Sequence, residues 1–418
     1  MRVAFVLICA ALAVPAASSA ADGAVHGYTL AGLTQTQGRS TDANPNDLFD
    51  VSGGRSELAL GLEGALHGWR WRARLTLEGG YGSDPSQRGG RLQQLQYDWR
   101  WRERWHFSAG QQLLAWDNGL SFQPLGFFKS SRTNLSDVFD TEGRSQGLPM
   151  LVGTRLGDSI TTDIVASVAN PGSDAVERRN ARQVAVRWSG EPVPGLNMAF
   201  ILRQRAGARI GAGVSSSYGV GEATLRADAY FGPAEARLFP VALVDGPAQL
   251  YTPPLTSSVD PGGAYRIRSA LGATWTPQRG LGLYGEWLHH GDGLSSRQWD
   301  VYRNQLELHA NALNGPQRAA AIGNLGTDLG VLSSTAAGVR RDYLYLRAEL
   351  GQGDAAWYLS TLAGLADGST LTTLSKSWQI RRHTTLRTNL SAFTGHEGSE
   401  FGLIPIRFQG SLLLLHTF

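Results

Sequence analysis

The chain has 418 residues, of which 42% are hydrophobic and 17% are charged, below the ~25% of an average soluble protein. The formal net charge of +3 comes almost entirely from arginine, because Lys129 and Lys376 are the only lysines. This weak, dispersed charge argues against nucleic-acid binding. The single cysteine, Cys9, excludes a disulfide-stapled scaffold.

The first residues have the pattern of an export signal. Met1 and Arg2 give a short positive start, residues 3–14 form an apolar core, and residues 17–21 are small, as at a cleavage site. The apolar run is too short for a membrane-spanning helix. We therefore predict that residues 1–21 are a cleaved signal peptide and that residues 22–418 form one exported domain.

Strict alternation of apolar and polar residues begins at residues 69–81 and returns at 93–102. Transmembrane barrel strands alternate in this way, because successive side chains face lipid and lumen over ~9–11 residues. An arginine at every second position excludes both a core-facing helix and a strand buried on both faces. The polar parity of the two segments carries five arginines: Arg70, Arg72, Arg74, Arg100 and Arg102.

We count eighteen such segments, joined alternately by short turns and mostly longer loops. Between residues 206 and 245 we place strands at 217–231 and 234–244, with a turn at Gly232-Pro233. Nine of the twelve tryptophans lie within a few residues of a short turn, as expected for an aromatic belt at one membrane interface. The predicted fold is all-β: a transmembrane antiparallel β-barrel of about 18 strands (16–18) with long outer loops.

The C-terminus carries a family resemblance. Counting back from Phe418, Leu414, Leu412, Gly410 and Phe408 keep one parity, and the chain ends on an aromatic residue. This pattern resembles the C-terminal assembly signal of Gram-negative outer-membrane β-barrels, with His416 as a departure from the commoner apolar residue. The resemblance implies recognition by the barrel-assembly machinery through Phe418, and contact with outer-membrane lipid.

A second resemblance covers residues 110–128, Gly-Gln-Gln-Leu-Leu-Ala-Trp-Asp-Asn-Gly-Leu-Ser-Phe-Gln-Pro-Leu-Gly-Phe-Phe. The segment is similar to a strand and loop of large porin-like barrels, including alginate-export-type proteins. Asp117 stands where such proteins often have glycine. The resemblance indicates a superfamily and implies no particular substrate.

Arginines outnumber acidic residues among the positions that we assign to the lumen. A positive wall in a confined, water-filled channel favours anions, and Arg70, Arg72, Arg74, Arg100 and Arg102 are its densest patch. The alternative is that inward arginines pair with acidic residues across strands and brace the wall. The sequence leaves both interpretations open.

Loop 116–147 is the best candidate for a constriction, because it is too long for a tight turn. Folded inward, it would narrow the pore with aromatic and cationic side chains, and folded outward it would be a surface flap. Besides Phe122, the residues that we assign to the constriction are Trp116, Phe127, Phe128, Lys129 and Arg132.

Loop 291–339 has helical character. Ser295-Ser296 could cap a helix whose apolar residues recur every three or four positions from Trp299, and Gly315-Pro316 would end it before a second helix through Ile322. Such an insertion would cap the mouth, plug the lumen, or contact a partner or a surface polysaccharide.

The sequence therefore predicts an outer-membrane channel for passive passage of hydrophilic, preferably anionic solutes. The alternatives are export of an acidic polysaccharide, and a plugged surface barrel whose loops bind a glycan or a protein partner. We expect no enzyme activity, cofactor or metal. Gly143-Arg144-Ser145-Gln146-Gly147 matches a nucleophile elbow without its strand and helix, and His289 and His290 must point to opposite faces of a strand.

Overall fold

A computed structural model describes most of the chain beyond the predicted signal peptide, which lies outside the described residues. The described residues are 25–80, 87–119, 121–128, 146–171, 178, 180–235, 238–240, 250, 256–258, 264–278, 280–333, 338–352 and 355–418.

Eighteen antiparallel strands form one sheet that closes on itself, because β1 pairs with both β2 and the last strand. Gly27 and Phe418 exchange two backbone hydrogen bonds of 2.9 Å at the seam. The predicted 18-stranded antiparallel barrel is confirmed. Its strands are β1 (Val25–Gly38), β2 (Gly53–Leu66), β3 (Trp69–Gly80), β4 (Gln87–Trp101), β5 (Trp105–Gln112), β6 (Leu148–Leu156), β7 (Ile160–Ser167), β8 (Gln183–Val193), β9 (Leu196–Arg205), β10 (Ile210–Val220), β11 (Ala223–Pro233), β14 (Tyr265–Gln278), β15 (Leu281–His290), β16 (Asp342–Gln352), β17 (Ala355–Gly364), β18 (Thr370–Arg381), β19 (Thr384–Thr394) and β20 (Ile406–Thr417), while β12 (Leu238–Pro240) and β13 (Thr256–Ser258) form a separate small hairpin.

The predicted division of residues 206–245 is wrong, although the strand count is right. The turn lies at residues 221–222, where Gly221 adopts a positive φ of 57°. Gly232 and Pro233 instead end β11, paired with Arg266 and Tyr265 of β14. Strand β10 is rich in Gly and Ser, so its alternation is weak, whereas the Gly-Pro pair imitates a turn signal.

The two faces of the barrel differ as the alternation predicts. On β3 the outward Leu75 and Leu77 are 59% and 50% exposed, whereas the inward Arg74 is 7% exposed. The tryptophans near the short turns face outward, and several contact other aromatic rings, as in the Trp69–Tyr97 pair at 5.1 Å. One end of the barrel thus carries an aromatic belt, typical of a membrane interface.

The long loop after β15 contains two helices, α1 (Ser296–Ala312) and α2 (Arg318–Ser333), and α3 (Glu400–Leu403) follows β19. Ser295 caps α1 in a capping box with Gln298, which confirms the predicted start. Helix α2 continues well beyond Ile322, the predicted end. Among the described residues, no helix is long and apolar enough to cross a membrane.

Helices α1 and α2 pack on other long loops. Trp299, Leu306 and Leu325 share an apolar cluster with Ala43 of the β1–β2 loop and Leu403 of α3. Three loops at one end of the barrel are therefore joined into one cover, which we call the mouth cluster.

Candidate functional site

Three of the predicted lumen arginines face inward from β3, and each has an acidic partner. The cross-strand geometry is the bracing arrangement that the sequence left as an alternative. These guanidinium groups are thus largely neutralised where they stand. The ion pairs are Arg70–Asp98 at 2.6 Å, Arg72–Glu63 at 2.8 Å and Arg74–Glu57 at 2.5 Å.

The two arginines predicted on the neighbouring strand differ from each other. Arg100 faces inward, is exposed, and lines a cavity of about 430 Å³ with Arg70 and His106. Arg102 lies in the turn after β4, with φ of 59° and its guanidinium 4.9 Å from the centre of the Trp101 ring. Its placement on the lumen wall is corrected, because β4 ends one residue before it.

Residues 113–128, apart from residue 120, fold into the barrel, and they include the first part of the predicted constriction loop 116–147. We call these residues the lumen segment. Leu114 pairs with Phe128, and the ring of Trp116 meets that of Phe128 edge-on at 4.8 Å. These side chains and Phe127 pack on inward apolar residues of β6–β11. Lys129 and Arg132 lie outside the described residues.

Two acidic side chains on the far wall hold the tip of the lumen segment. Asp228 accepts a 2.7 Å hydrogen bond from the backbone N–H of Asn118. Glu286 accepts from the backbone N–H groups of Ser121 and Phe122 at 3.1 and 3.2 Å, and from the Ser121 hydroxyl at 2.6 Å. Both carboxylates lie near the middle of their strands, so the segment reaches the middle of the barrel.

The ring of Phe127 covers a cluster of basic side chains on the inner wall of the barrel. The Arg203 guanidinium lies 4.1 Å from the centre of the Phe127 ring, and Arg268 lies 4.8 Å from that of Tyr230. One carboxylate, Glu235, receives both arginines at 2.9 and 3.0 Å. Cation–π contact and ion pairing together stabilise the two buried guanidinium groups of this cluster.

The inner wall of β18 and β19 is mostly polar, and Phe122 of the lumen segment packs on an apolar cluster that includes Leu371 and Phe393 of these strands. Small hydroxyl and amide side chains face the lumen from successive inward positions of these strands. This polar wall is itself buried, so other side chains cover it inside the barrel. Its members are Thr373, Ser375, Ser377, Asn389 and Ser391.

A buried carboxylate holds the mouth cluster together. Glu400 is 1% exposed and accepts hydrogen bonds of 2.6 Å from the backbone N–H of Val339 and from the hydroxyl of Tyr343. The backbone N–H of Glu400 donates to Asp367, which also pairs with Arg340 at 3.2 Å. Burial raises the pKa of the Glu400 carboxyl from 4.5 to about 7.

We expect the mouth cluster to loosen as the pH rises. The folded chain keeps a proton on Glu400 that the unfolded chain releases between pH 4.5 and 7, so this stabilisation is full below 4.5 and lost above 7. The loss is on the order of 3 kcal/mol. Hydrogen exchange of residues 396–403, corrected for the chemical rate, should show less protection at pH 8 than at pH 6. Glu400→Gln should abolish the difference, and equal protection in the wild type would contradict the expectation.

Sequence reasoning did not find the partners of the lumen segment. Asp228 and Glu286 carry the inward parity of barrel strands, and Glu235 follows the end of β11, but the sequence offers no sign that a loop from β5 reaches this part of the lumen. The one available signal is an acidic residue at the centre of a strand, where an unpaired carboxylate would be costly.

No protein-family model and no curated protein sequence matches the chain. Solved structures do match. OccK5 (OpdH) of Pseudomonas aeruginosa is 10% identical, with 95% of this chain and 98% of that chain covered and a TM-score of 0.50. OmpF of Salmonella typhi, in complex with daunomycin, is 9% identical over 95% and 97% of the two chains, with a TM-score of 0.47. A mutant Rh. blastica porin is 12% identical over 95% and 100%, with a TM-score of 0.44. At these identities the similarity to OccK5 shows the fold alone.

Proposed function

We propose that the chain is an outer-membrane channel of a Gram-negative bacterium, through which hydrophilic solutes pass by diffusion. The observation that carries the proposal is a closed barrel with an apolar outer face and a polar lumen that one inward-folded segment narrows on one side. Short turns at one end, long loops at the other and an even strand number are typical of outer-membrane barrels. Passage would depend on width and charge and would need no cofactor.

An excess of arginine supports a preference for anions. Arg203 and Arg268 share Glu235, and Arg205 lies close enough to interact with the same carboxylate. Arg268 also lies 3.7 Å from Asp292, so three arginines face two carboxylates here. Arg226 donates to the neutral hydroxyl of Thr274 at 2.7 Å. A confined pore of net positive charge raises the local concentration of anions and excludes cations.

Swelling of proteoliposomes tests the proposal. We expect solutes of equal size to enter at rates that follow their charge, with gluconate faster than glucose, and both faster than in liposomes without protein. If glucose and gluconate enter at the same rate, the chain is a channel but the proposed anion selectivity is wrong. No swelling with either solute would contradict the channel.

Arg100 provides the sharpest test of the charge preference, because it is exposed beside the lumen cavity. We expect Arg100→Gln to lower the ratio of anion to cation permeability roughly twofold, since the substitution removes one positive charge from the wall of the water-filled path. The reversal potential in a salt gradient measures this ratio. The double variant Arg70→Gln with Asp98→Asn removes one charge of each sign and should leave the potential unchanged. A larger shift in the double variant than in Arg100→Gln would contradict the account.

A plugged barrel that binds a surface glycan or a protein partner is the second candidate. It is favoured by the mouth cluster, which joins α1, α2 and two other long loops over one side of the opening. If this candidate is right, the wild-type chain stays closed to ions and removal of residues 295–339 opens it.

A further inference from the structure

Three polar side chains lie side by side on the outward face, at the long-loop end of β14, β15 and β16. Ser269 of β14 is the register partner of His289 of β15, which is in turn the partner of Asp342 of β16. Ile267 and Leu271, two positions before and after Ser269, are 52% and 48% exposed, so Ser269 shares their outward parity, although its own smaller side chain is only 9% exposed. Side chains at paired positions have Cβ atoms ~4.5–5.5 Å apart.

The carboxylate of Asp342 and the imidazole of His289 are within hydrogen-bond distance of each other. His289 Nδ1 lies 2.8 Å from Asp342 Oδ1, and the two side chains are 28% and 40% exposed. A carboxylate on Nδ1 fixes the ring and leaves Nε2 as the proton acceptor. Because Ser269 lies on the strand at the other side of His289, the order across the sheet is hydroxyl, imidazole, carboxylate. This is the order that nucleophilic catalysis by serine requires.

The sequence alone hides this arrangement. Adjacent histidines point to opposite faces, and the structure confirms it: the His290 ring lies inward, 4.9 Å from that of Phe122, whereas His289 points outward. Neither partner of His289 is its neighbour in the chain. Only the strand register brings the three residues into one row.

The surroundings of the row suit an amphiphilic molecule. Directly below it, Leu271, Trp287 and Leu344 form the next outward row across the same strands, and Trp287 is 37% exposed. The row lies at the long-loop end of the outer face, at the level of the lipid head groups, where polar side chains cost little on the lipid-facing side. An acyl chain lying along the lower row would bring its ester group to the level of Ser269.

We propose that Ser269, His289 and Asp342 form a lipid-facing esterase site that cleaves acyl esters of membrane lipids. The proposal adds a second activity to the channel and shares with it only the premise that the outward face contacts lipid. Ser269 would be the nucleophile, His289 the general base and acid, and Asp342 a positioning residue that orients the imidazole.

The reaction consumes one water molecule for each ester. Ser269 Oγ attacks the acyl carbonyl carbon while its proton passes to His289 Nε2, and the alkoxide leaves with that proton as an alcohol. Water then attacks the acyl-serine ester, its proton again passing to Nε2. The acyl–serine bond breaks, the proton returns to Ser269 Oγ, and a carboxylic acid is released.

Covalent labelling tests the site directly. The refolded full chain in mixed phospholipid–detergent micelles would be treated with a long-chain alkyl fluorophosphonate, and the adduct located by mass spectrometry of peptides. We expect the adduct on Ser269, with labelling slowed about 100-fold in His289→Asn, since a general base contributes factors of ~10²–10⁴. Asp342→Asn should slow labelling less, because it changes only the orientation of the base. Release of fatty acid from the phospholipid should fall in the same order.

Ser216→Ala is the matched control, because Ser216 is another serine on the outward parity, between the exposed Val214 and Tyr218. It should label at the wild-type rate. A heat-modifiable, folded barrel in which Ser269 stays unlabelled, or in which His289→Asn labels as fast as the wild type, would overturn the proposal. Channel conductance measured on the same preparations should be unaffected by both substitutions at the site, so failure of the esterase and failure of the channel give different results.

Discussion

Replacement of residues 115–146 by a short Gly/Ser turn should raise the single-channel conductance severalfold. The lumen segment covers the inner wall from β6 to β11 and reaches β15, so its removal widens the narrowest part of the proposed path. Conductance follows the width and the charge of the constriction. The measurement is the current step of single insertions in a planar bilayer, after heat-modifiability on a gel has shown that the variant is folded.

Two double variants distinguish the effect of the hydrogen bonds that hold the lumen segment from the effect of the space that the segment fills. Asp228→Ala with Glu286→Ala removes the acceptors that hold the backbone N–H groups of Asn118, Ser121 and Phe122. Unpaired N–H groups cost ~1–3 kcal/mol each, so the tip should detach and the current should fluctuate between levels. Asp228→Asn with Glu286→Gln keeps an acceptor at each position while removing the charge, and its current should stay steady. An unchanged conductance in the deletion variant would contradict the placement of the segment in the ion path.

The second large effect is expected at Glu235. Glu235→Ala leaves Arg203 and Arg268 without the carboxylate that they share at 2.9 and 3.0 Å, and both guanidinium groups are buried. Removing one partner from a buried ion pair typically costs ~3–5 kcal/mol, because an uncompensated charge remains. The free energy of unfolding in urea, followed by tryptophan fluorescence in lipid vesicles, should fall by about this amount.

Glu103→Gln is the control for this experiment, since Glu103 lies exposed in a turn. It should change the free energy of unfolding by no more than ~0.5 kcal/mol. Adding Arg203→Met to Glu235→Ala should recover part of the lost stability, because one of the two buried positive charges is then removed as well. Arg203 is chosen because Arg268 also lies 3.7 Å from the buried Asp292. A loss for Glu235→Ala as small as that of Glu103→Gln would show that the cluster is hydrated.

The sequence predicts the barrel well because the alternation of β3 is strong. Residues such as Arg72 and Leu75 can lie on only one face each, and this parity also fixes the short turns and the belt of tryptophans. The prediction fails where alternation is weak, as in β10, and at Arg102, where one residue decides between strand and turn. In both places a local signal competes with pairing to a neighbouring strand, and the pairing decides.

The contents of the lumen are less accessible to sequence reasoning. The contact of Asn118 with Asp228 joins residues far apart in the chain, and no periodicity encodes it. The pairing of Arg70 with Asp98 was open for the same reason, because parity places both in the lumen without giving their distance. The row of Ser269, His289 and Asp342 depends likewise on register, which turn lengths and bulges set.

The most direct test of the central claim is the current through the refolded wild-type chain in a planar bilayer. The account predicts steady current steps whose reversal potential in a salt gradient indicates anion preference. A correctly folded barrel that inserts and carries no current, and stays silent after replacement of residues 115–146, would contradict the channel. Silence relieved by removing residues 295–339 would instead support a plugged barrel that binds a surface partner.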